Sequence, residues 1–317
     1  MQIILKASET ALAAIGNTPL IRLRRVVPAN HASIYLKLEY TNPTGSHKDR
    51  MAAAIISGAE CRGALKPGMK VVEATGGSTG SSLAFVCAVK GYEFQVASSN
   101  AFALEKLRTM AAFGTKVDII HSPTGKITAD LIPSMVKRAK EVAEEEKGVY
   151  AADQFRNRDA LVGYQALGEE LLQQVPEGID AFCAAVGTAG LAMGVAGVLK
   201  AARPDTRVAV LEPATTPVIT EGRAGAHGVE GIGIGFLPPL LDRELYDEAR
   251  AISEDEARAM CRRLAKEEGI FSGVSTGLNV VAAMQLAKEL GPGKRVVTIA
   301  CDTGLKYLNG DLFAAPK

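Results

Sequence analysis

The chain has 317 residues, 47% hydrophobic and 22% charged, proportions that exclude a disordered polypeptide and suit two α/β domains or one large one. Lys and Arg number 36 against 35 Asp and Glu, so a net charge of +1 provides no field for nucleic acid or an acidic membrane surface. Aromatics make up 5% and Trp is absent, which excludes an aromatic platform for RNA or carbohydrate.

Taken in chain order, the first 15 residues carry Lys6 and Glu9 and lack the apolar core of a signal peptide. β-Branched runs at 33–39, 70–74, 93–98, 116–121, 181–186, 207–211 and 295–300 read as strands. Most are apolar without alternation, as expected for strands covered on both faces. Helical patterns fall at 79–90, 104–113, 132–146, 158–174, 191–202, 254–268 and 277–290, and an Ala-rich helix follows residues 42–50. Pro133 suits a first helical turn, and Ser253 with Glu254, Asp255 and Glu256 reads as a capped, acidic helix start. The alternation predicts an α/β protein with mostly parallel sheets and a domain border near 150–157. Residues 181–199 are uncharged over nearly the length of a membrane span, but Gly187, Gly190, Gly194 and Gly197 favour a buried strand, a turn and a buried helix. Cys61, Cys87, Cys183, Cys261 and Cys301 are odd in number and none has CxxC spacing, so neither zinc nor a disulfide framework is expected and a reducing cytoplasm is.

Three strand–glycine–helix units offer chemistry. Thr75, Gly76, Gly77, Ser78 and Thr79 follow the strand at 70–74 with small hydroxyl residues, exposing N–H groups at a helix start. Gly187, Thr188, Ala189, Gly190 and Leu191 form a second such turn, without the GxGxxG spacing or P-loop lysine of nucleotide sites. Taken alone, each is equally a tight packing turn. The third, Cys301-Asp302-Thr303-Gly304, lies beyond a strand's carboxyl end, where open α/β sheets bind ligands; Thr303 is also a natural cap for the next turn. Lys48, inside Gly45-Ser46-His47-Lys48-Asp49-Arg50, opens the Ala-rich helix, and an isolated lysine or histidine there is ordinarily surface or packing.

In this order the segments resemble the pyridoxal-phosphate enzymes of fold type II, the tryptophan synthase β-like fold, and within them the cysteine synthase and cystathionine β-synthase group. Residues 15–23, Gln154-Phe155, Glu212-Pro213, 231–236 and 273–277 are also similar to family motifs, so the likeness runs from about residue 12 to 312. It implies two α/β domains with open twisted sheets: a large C-terminal cofactor-binding domain from 1–38 and 155–317, and a smaller mobile N-terminal domain from 39–154. It implies pyridoxal 5′-phosphate on Lys48, with Ser78, Gly187, Thr188, Ala189, Gly190, Leu191 and Thr303 as further cofactor contacts. Thr75, Gly76, Gly77, Ser78, Thr79 and Gln154 are the implied substrate-carboxylate contacts.

The implied activity is β-replacement on a serine-derived amino acid through an α-aminoacrylate, by default cysteine synthesis from O-acetylserine and sulfide. The implied partners are that amino acid, a small nucleophile and a second copy of the chain, with no membrane or nucleic acid and no heme or regulatory segment. Ser78 stands where the family usually has the asparagine that meets the cofactor 3′-oxygen, Leu191 where a threonine ends the phosphate turn, and Gly76 replaces a common serine. The 45–50 stretch reads more like threonine synthase and threonine dehydratase relatives. These departures leave a serine/threonine dehydratase-type β-elimination, a diaminopropionate-type substitution and a weakly catalytic binding homologue as alternatives.

Overall fold

The computed structural model describes residues 7–125 and 130–314. Chain order runs β1 (Leu20–Arg22), β2 (Ser33–Leu38), α1 (Lys48–Cys61), β3 (Lys70–Ala74), α2 (Ser78–Lys90), β4 (Glu93–Ser99), α3 (Leu104–Ala112), β5 (Lys116–Ile120), α4 (Leu131–Glu145) and β6 (Val149–Ala151). It continues with α5 (Asp159–Gln174), β7 (Ala181–Ala185), α6 (Gly190–Ala202), β8 (Arg207–Pro213), α7 (Val218–Glu221), β9 (Glu248–Ile252), α8 (Glu254–Arg263), α9 (Val274–Leu290) and β10 (Arg295–Ala300).

Two open sheets result. A six-stranded sheet is ordered β1-β2-β10-β7-β8-β9 and a four-stranded sheet β5-β4-β3-β6. Only the β1–β2 pair is antiparallel; the remaining pairs are parallel. Parallel strands need covered faces, and the burial of β4, β7 and β8 along nearly their whole length follows from helices on both sides. One apolar cluster holds the α1 residues Met51, Ile55 and Ile56 together with Leu83 of α2, Tyr164 of α5 and Val195 of α6, so it joins helices serving both sheets. A second cluster packs α8 and α9 against the opposite face of the larger sheet. Among the described residues no helix is long and apolar enough to cross a membrane, and the uncharged 181–199 stretch forms β7, a turn and most of α6.

Several elements differ from the sequence expectation for physical reasons. Glu39, expected to end a strand, instead enters a 3-10 turn, Glu39–Thr41, where its carboxylate receives Arg50. The helix expected over 254–268 ends at Arg263, passes through a π turn, Leu264–Glu268, and stops at Gly269, whose φ of +71° is the left-handed stop that glycine supplies. β1, β6 and β9 were not foreseen. β1 and β6 are three residues long, and β9 is an edge strand whose Glu248 and Arg250 break any apolar run. The expected domain limits include residues 1–6, 126–129 and 315–317, which lie outside the described residues.

A buried ionic network sets the start of α1. Arg50 Nε and Nη2 donate to the two oxygens of Glu39 at 2.7 and 2.9 Å, while Nη1 and Nη2 donate to Glu170 of α5 at 2.7 and 2.8 Å. Lys37 of β2, fully buried, donates to Glu170 at 2.6 Å, Gln174 at 2.8 Å and the Thr18 carbonyl at 2.7 Å. Every charge is matched and hydrogen-bonded, which buried ions require. Because Arg50 is two residues beyond Lys48, the same network fixes where the Lys48 backbone sits.

Candidate active site

The site gathers at the carboxyl ends of the parallel strands, where the two sheets meet. The segment before α1 is stitched to the end of β10: Ser46 bridges Asp302, the His47 N–H donates to the Cys301 carbonyl at 3.0 Å, and the Thr303 N–H donates to the Gly45 carbonyl at 3.0 Å. Lys48 is the first residue of α1 and half-buried. Burial lowers its amine to about 8, with the neighbouring Cys301 and Glu73 pulling the other way. Beside it His47 hydrogen-bonds the Tyr164 hydroxyl at 2.8 Å. Burial, then the positive charges of Lys48, Lys306 and Arg50, hold that imidazole neutral by driving its pKa well below the ordinary value.

The turn after β7 is built around donors. Ala189 takes a left-handed φ of +66° at the cap of α6, a strained conformation for a residue with a Cβ. Among the described residues the N–H groups of Gly187, Thr188, Ala189, Gly190, Leu191 and Ala192 meet no acceptor, although these residues are buried. Buried backbone donors are nearly always paired, so this cluster, at the positive end of a helix, fits a multiply charged oxyanion such as a phosphate. Gly187 is required by close approach: a Cβ there would lie 2.2 Å from the Gly231 carbonyl oxygen. The 231–236 loop is thereby held on the turn, with the Gly233 N–H donating to the Val186 carbonyl at 3.1 Å.

The loop after β3 faces the same space from the smaller sheet. The N–H groups of Gly76, Ser78 and Thr79 meet no acceptor among the described residues, and the Thr79 hydroxyl donates to Gln154 Oε1 at 2.7 Å. Gly76, the departure from a family serine, has a local cause: its Cβ would fall 1.9 Å from Cδ2 of Phe102. The rings of Phe155, next to Gln154, and of Phe236, in the 231–236 loop, sit 5.8 Å apart. Thr303 does cap the following turn, its hydroxyl oxygen accepting from the Leu305 N–H at 3.3 Å, and that leaves its proton free to donate elsewhere.

Contacts link several of the residues marked in the sequence: the 45–48 segment bonds to 301–303, Thr79 bonds Gln154, Ser78 accepts from Lys306 three residues beyond Thr303, and the 187–191 turn follows β7, the neighbour of β10. Glu73 and Lys306 join these contacts and were not singled out. Glu73, at the end of β3, accepts from the Ala74 N–H at 2.8 Å and the Gln154 N–H at 3.0 Å, and burial raises its carboxyl to about 7 against those bonds. A carboxylate closing an apolar strand just before a glycine loop is the signal that marks it. Lys306 donates to Ser78 Oγ at 3.1 Å across the cleft, and nothing in its local sequence announces that reach.

The model of the family described as pyridoxal-phosphate dependent enzyme matches residues 11–302. Cysteine synthase from Staphylococcus aureus is 43% identical over 312 residues, 98% of each chain. Among solved structures, an O-ureido-L-serine synthase superposes with a TM-score of 0.91 at 35% identity, covering 97% of this chain and 96% of its own. Cysteine synthase (OASS) from Entamoeba histolytica superposes with a TM-score of 0.91 at 31% identity, covering 100% of this chain and 95% of its own.

Proposed function

Since the chain belongs to the pyridoxal-phosphate dependent enzymes, in the cysteine synthase group of fold type II, we propose that it catalyses β-replacement on a serine-derived amino acid, making cysteine from O-acetylserine and sulfide. The observation that carries the reading is the Lys48 amine, lowered by burial to about 8, together with two loops whose N–H groups meet no acceptor among the described residues.

In this reading Lys48 would hold pyridoxal 5′-phosphate, the N–H groups of Gly187 to Leu191 would receive its phosphate, and the Thr303 hydroxyl would be the donor for its ring nitrogen. When bound, the cofactor supplies an aldehyde for amines and a ring that accepts electrons from the substrate α-carbon. Lys48 does the proton work. With its pKa near 8, a useful fraction is neutral close to pH 7, so this amine could hold the cofactor and, when free, take up a substrate α-proton. Thr75, Gly76, Gly77, Ser78 and Thr79 receive the substrate carboxylate with their N–H and hydroxyl donors. Gln154, whose oxygen is taken by Thr79, keeps its amide N–H groups for the same carboxylate. A hydroxyl at the ring nitrogen, rather than a carboxylate, moderates the electron sink and favours departure of a β-substituent.

The smaller unit, 39–154, moves over the larger, 1–38 with 155–317, on binding substrate. The active form is a homodimer, which covers some of the exposed Val162, Leu237, Leu305 and Leu308. The five unbridged cysteines suit the reducing cytoplasm.

The test supplies purified protein with pyridoxal phosphate, O-acetylserine and sulfide and measures cysteine. Sulfide-dependent cysteine release supports the reading. Pyruvate release without sulfide would replace it by β-elimination, and bound cofactor without turnover by a binding homologue. Likeness to the O-ureido-L-serine synthase motivates a second reading, β-replacement with a nucleophile other than sulfide, which competition between nucleophiles decides.

A further inference from the structure

We propose that Lys306 is a cofactor-binding residue of this site, its ammonium holding the anionic ring oxygen of pyridoxal phosphate from beside Ser78. The inference rests on the functional reading above and adds to it a contact made by this chain's own departure from the family pattern at position 78.

The geometry points there for three reasons. First, Lys306 lies in the turn Gly304–Tyr307 directly after Thr303, and its Nζ crosses to the N-terminus of α2 to donate to Ser78 Oγ at 3.1 Å. The two residues come from the loops that follow β10 and β3, so the contact joins the two walls of the cleft. Second, the cation is under-partnered. Lys106, almost wholly buried nearby, is matched by Glu230, and Lys37 by Glu170, yet among the described residues no carboxylate lies within ion-pair distance of Lys306. An ammonium has three protons to donate, and a neutral serine hydroxyl satisfies one. Burial lowers its pKa, with Lys106 adding to that and the carboxylates of Asp302 and Asp49 opposing it. A half-buried ammonium in this position calls for an anionic oxygen.

Third, the covalent layout of the cofactor says which oxygen. Its aldehyde carbon is flanked on the ring by the oxygen on one side and the phosphate-bearing arm on the other. With the aldehyde at Lys48 and the phosphate arm on the 187–192 turn, the oxygen would lie on the ring edge away from that turn, where Ser78 of the β3 loop and Lys306 of the β10 loop meet. A serine reaches less far than an asparagine, and the lysine supplies a donor with the reach that the shorter side chain lacks.

The experiment measures pyridoxal phosphate binding to the apoenzyme, and the pH at which the bound cofactor's visible absorbance changes, for the wild type, Lys306→Gln, Lys306→Arg and the double variant Ser78→Asn with Lys306→Gln. Loss of one charge-assisted hydrogen bond predicts roughly tenfold weaker cofactor binding in Lys306→Gln. Removing a nearby positive charge moves the absorbance midpoint upward. Arginine restores both, and asparagine at 78 restores affinity because it brings its own donor. Lys306→Gln with unchanged cofactor affinity and midpoint, or a change confined to the KM of the amino-acid substrate, overturns the assignment while leaving the enzyme reading intact. Failure of the wild-type chain to take up the cofactor overturns that reading and this contact with it.

Discussion

The backbone N–H of Gln154 donates to Glu73 Oε2 at 3.0 Å, so the carboxylate that closes β3 also pins the segment that leaves the smaller sheet. Because the Gln154 side chain in turn accepts from Thr79, Glu73 orders both sides of the proposed carboxylate pocket and at the same time raises the pKa of Lys48 by its charge. Glu73→Gln removes that charge and sets amide protons against one of the two N–H donors. The Lys48 amine then titrates lower. Cofactor uptake by the apoenzyme, followed against pH, should show its midpoint moving below about 8. A midpoint unmoved by this substitution would remove Glu73 from the electrostatics of the site.

Lys48→Ala tests the amine itself. The alanine side chain can neither condense with an aldehyde nor accept an α-proton, while the donor turn at 187–192 is untouched. The variant should therefore still bind the cofactor reversibly but lose its visible absorbance on desalting, with turnover lower by roughly 10²- to 10⁴-fold. Absorbance that survives desalting would assign the linkage to a different lysine.

How far the cleft can be read from the chain alone differs residue by residue. Strands 70–74 and 295–300 coincide with their predicted limits because each is a short run rich in β-branched residues closed by a turn of small or glycine residues. The donor turns were legible for the same reason: glycines and small hydroxyl residues at a strand–helix junction have local structural meaning. β9 was not, since its charges at Glu248 and Arg250 are answered by Arg207 and Glu289 from distant positions. Likewise Glu39 looks like a strand end until Arg50 is brought against it, and Lys306 looks like an exposed turn lysine until Ser78 arrives from the other sheet. What is invisible in the sequence is tertiary contact between charges, which has no periodicity.

Gly76 and Phe102 form a matched pair. Any Cβ at 76 would sit 1.9 Å from Cδ2 and 2.0 Å from Cγ of the ring, near its root rather than its mobile edge, so the ring must swing away. Gly76→Ser, a return to the common family residue, should thus cost about 1–3 kcal/mol in stability and distort the loop. The amino-acid KM should rise. Adding Phe102→Ala should relieve the strain and bring KM back toward the parent value. A single Gly76→Ser variant with unchanged melting temperature and KM would show that the ring yields freely.

The network under α1 predicts how the protein meets acid. Burial alone would raise the Glu170 carboxyl, but hydrogen bonds from Arg50 and Lys37 outweigh it and hold the pKa at about 2, against an ordinary 4.5. A depressed carboxyl stabilises the fold fully above its unfolded pKa and loses that contribution as pH falls through the folded value. The gain, about 1–2 kcal/mol at neutral pH once solvent screening of this half-buried group is allowed for, should therefore fade between 4.5 and about 2. Arg50→Met leaves Glu39 buried without its partner and weakens the hold on Glu170, so it should lower stability by about 3–5 kcal/mol at neutral pH. Measured by denaturant unfolding across that range, the gap between wild type and variant should shrink on acidification, because protonated carboxyls no longer need the guanidinium. A gap that stays constant down to the lowest pH would mean that Arg50 acts through packing rather than charge. In that case the placement of Lys48 at the head of α1 would rest on the apolar contacts of Met51 and Ile55 instead.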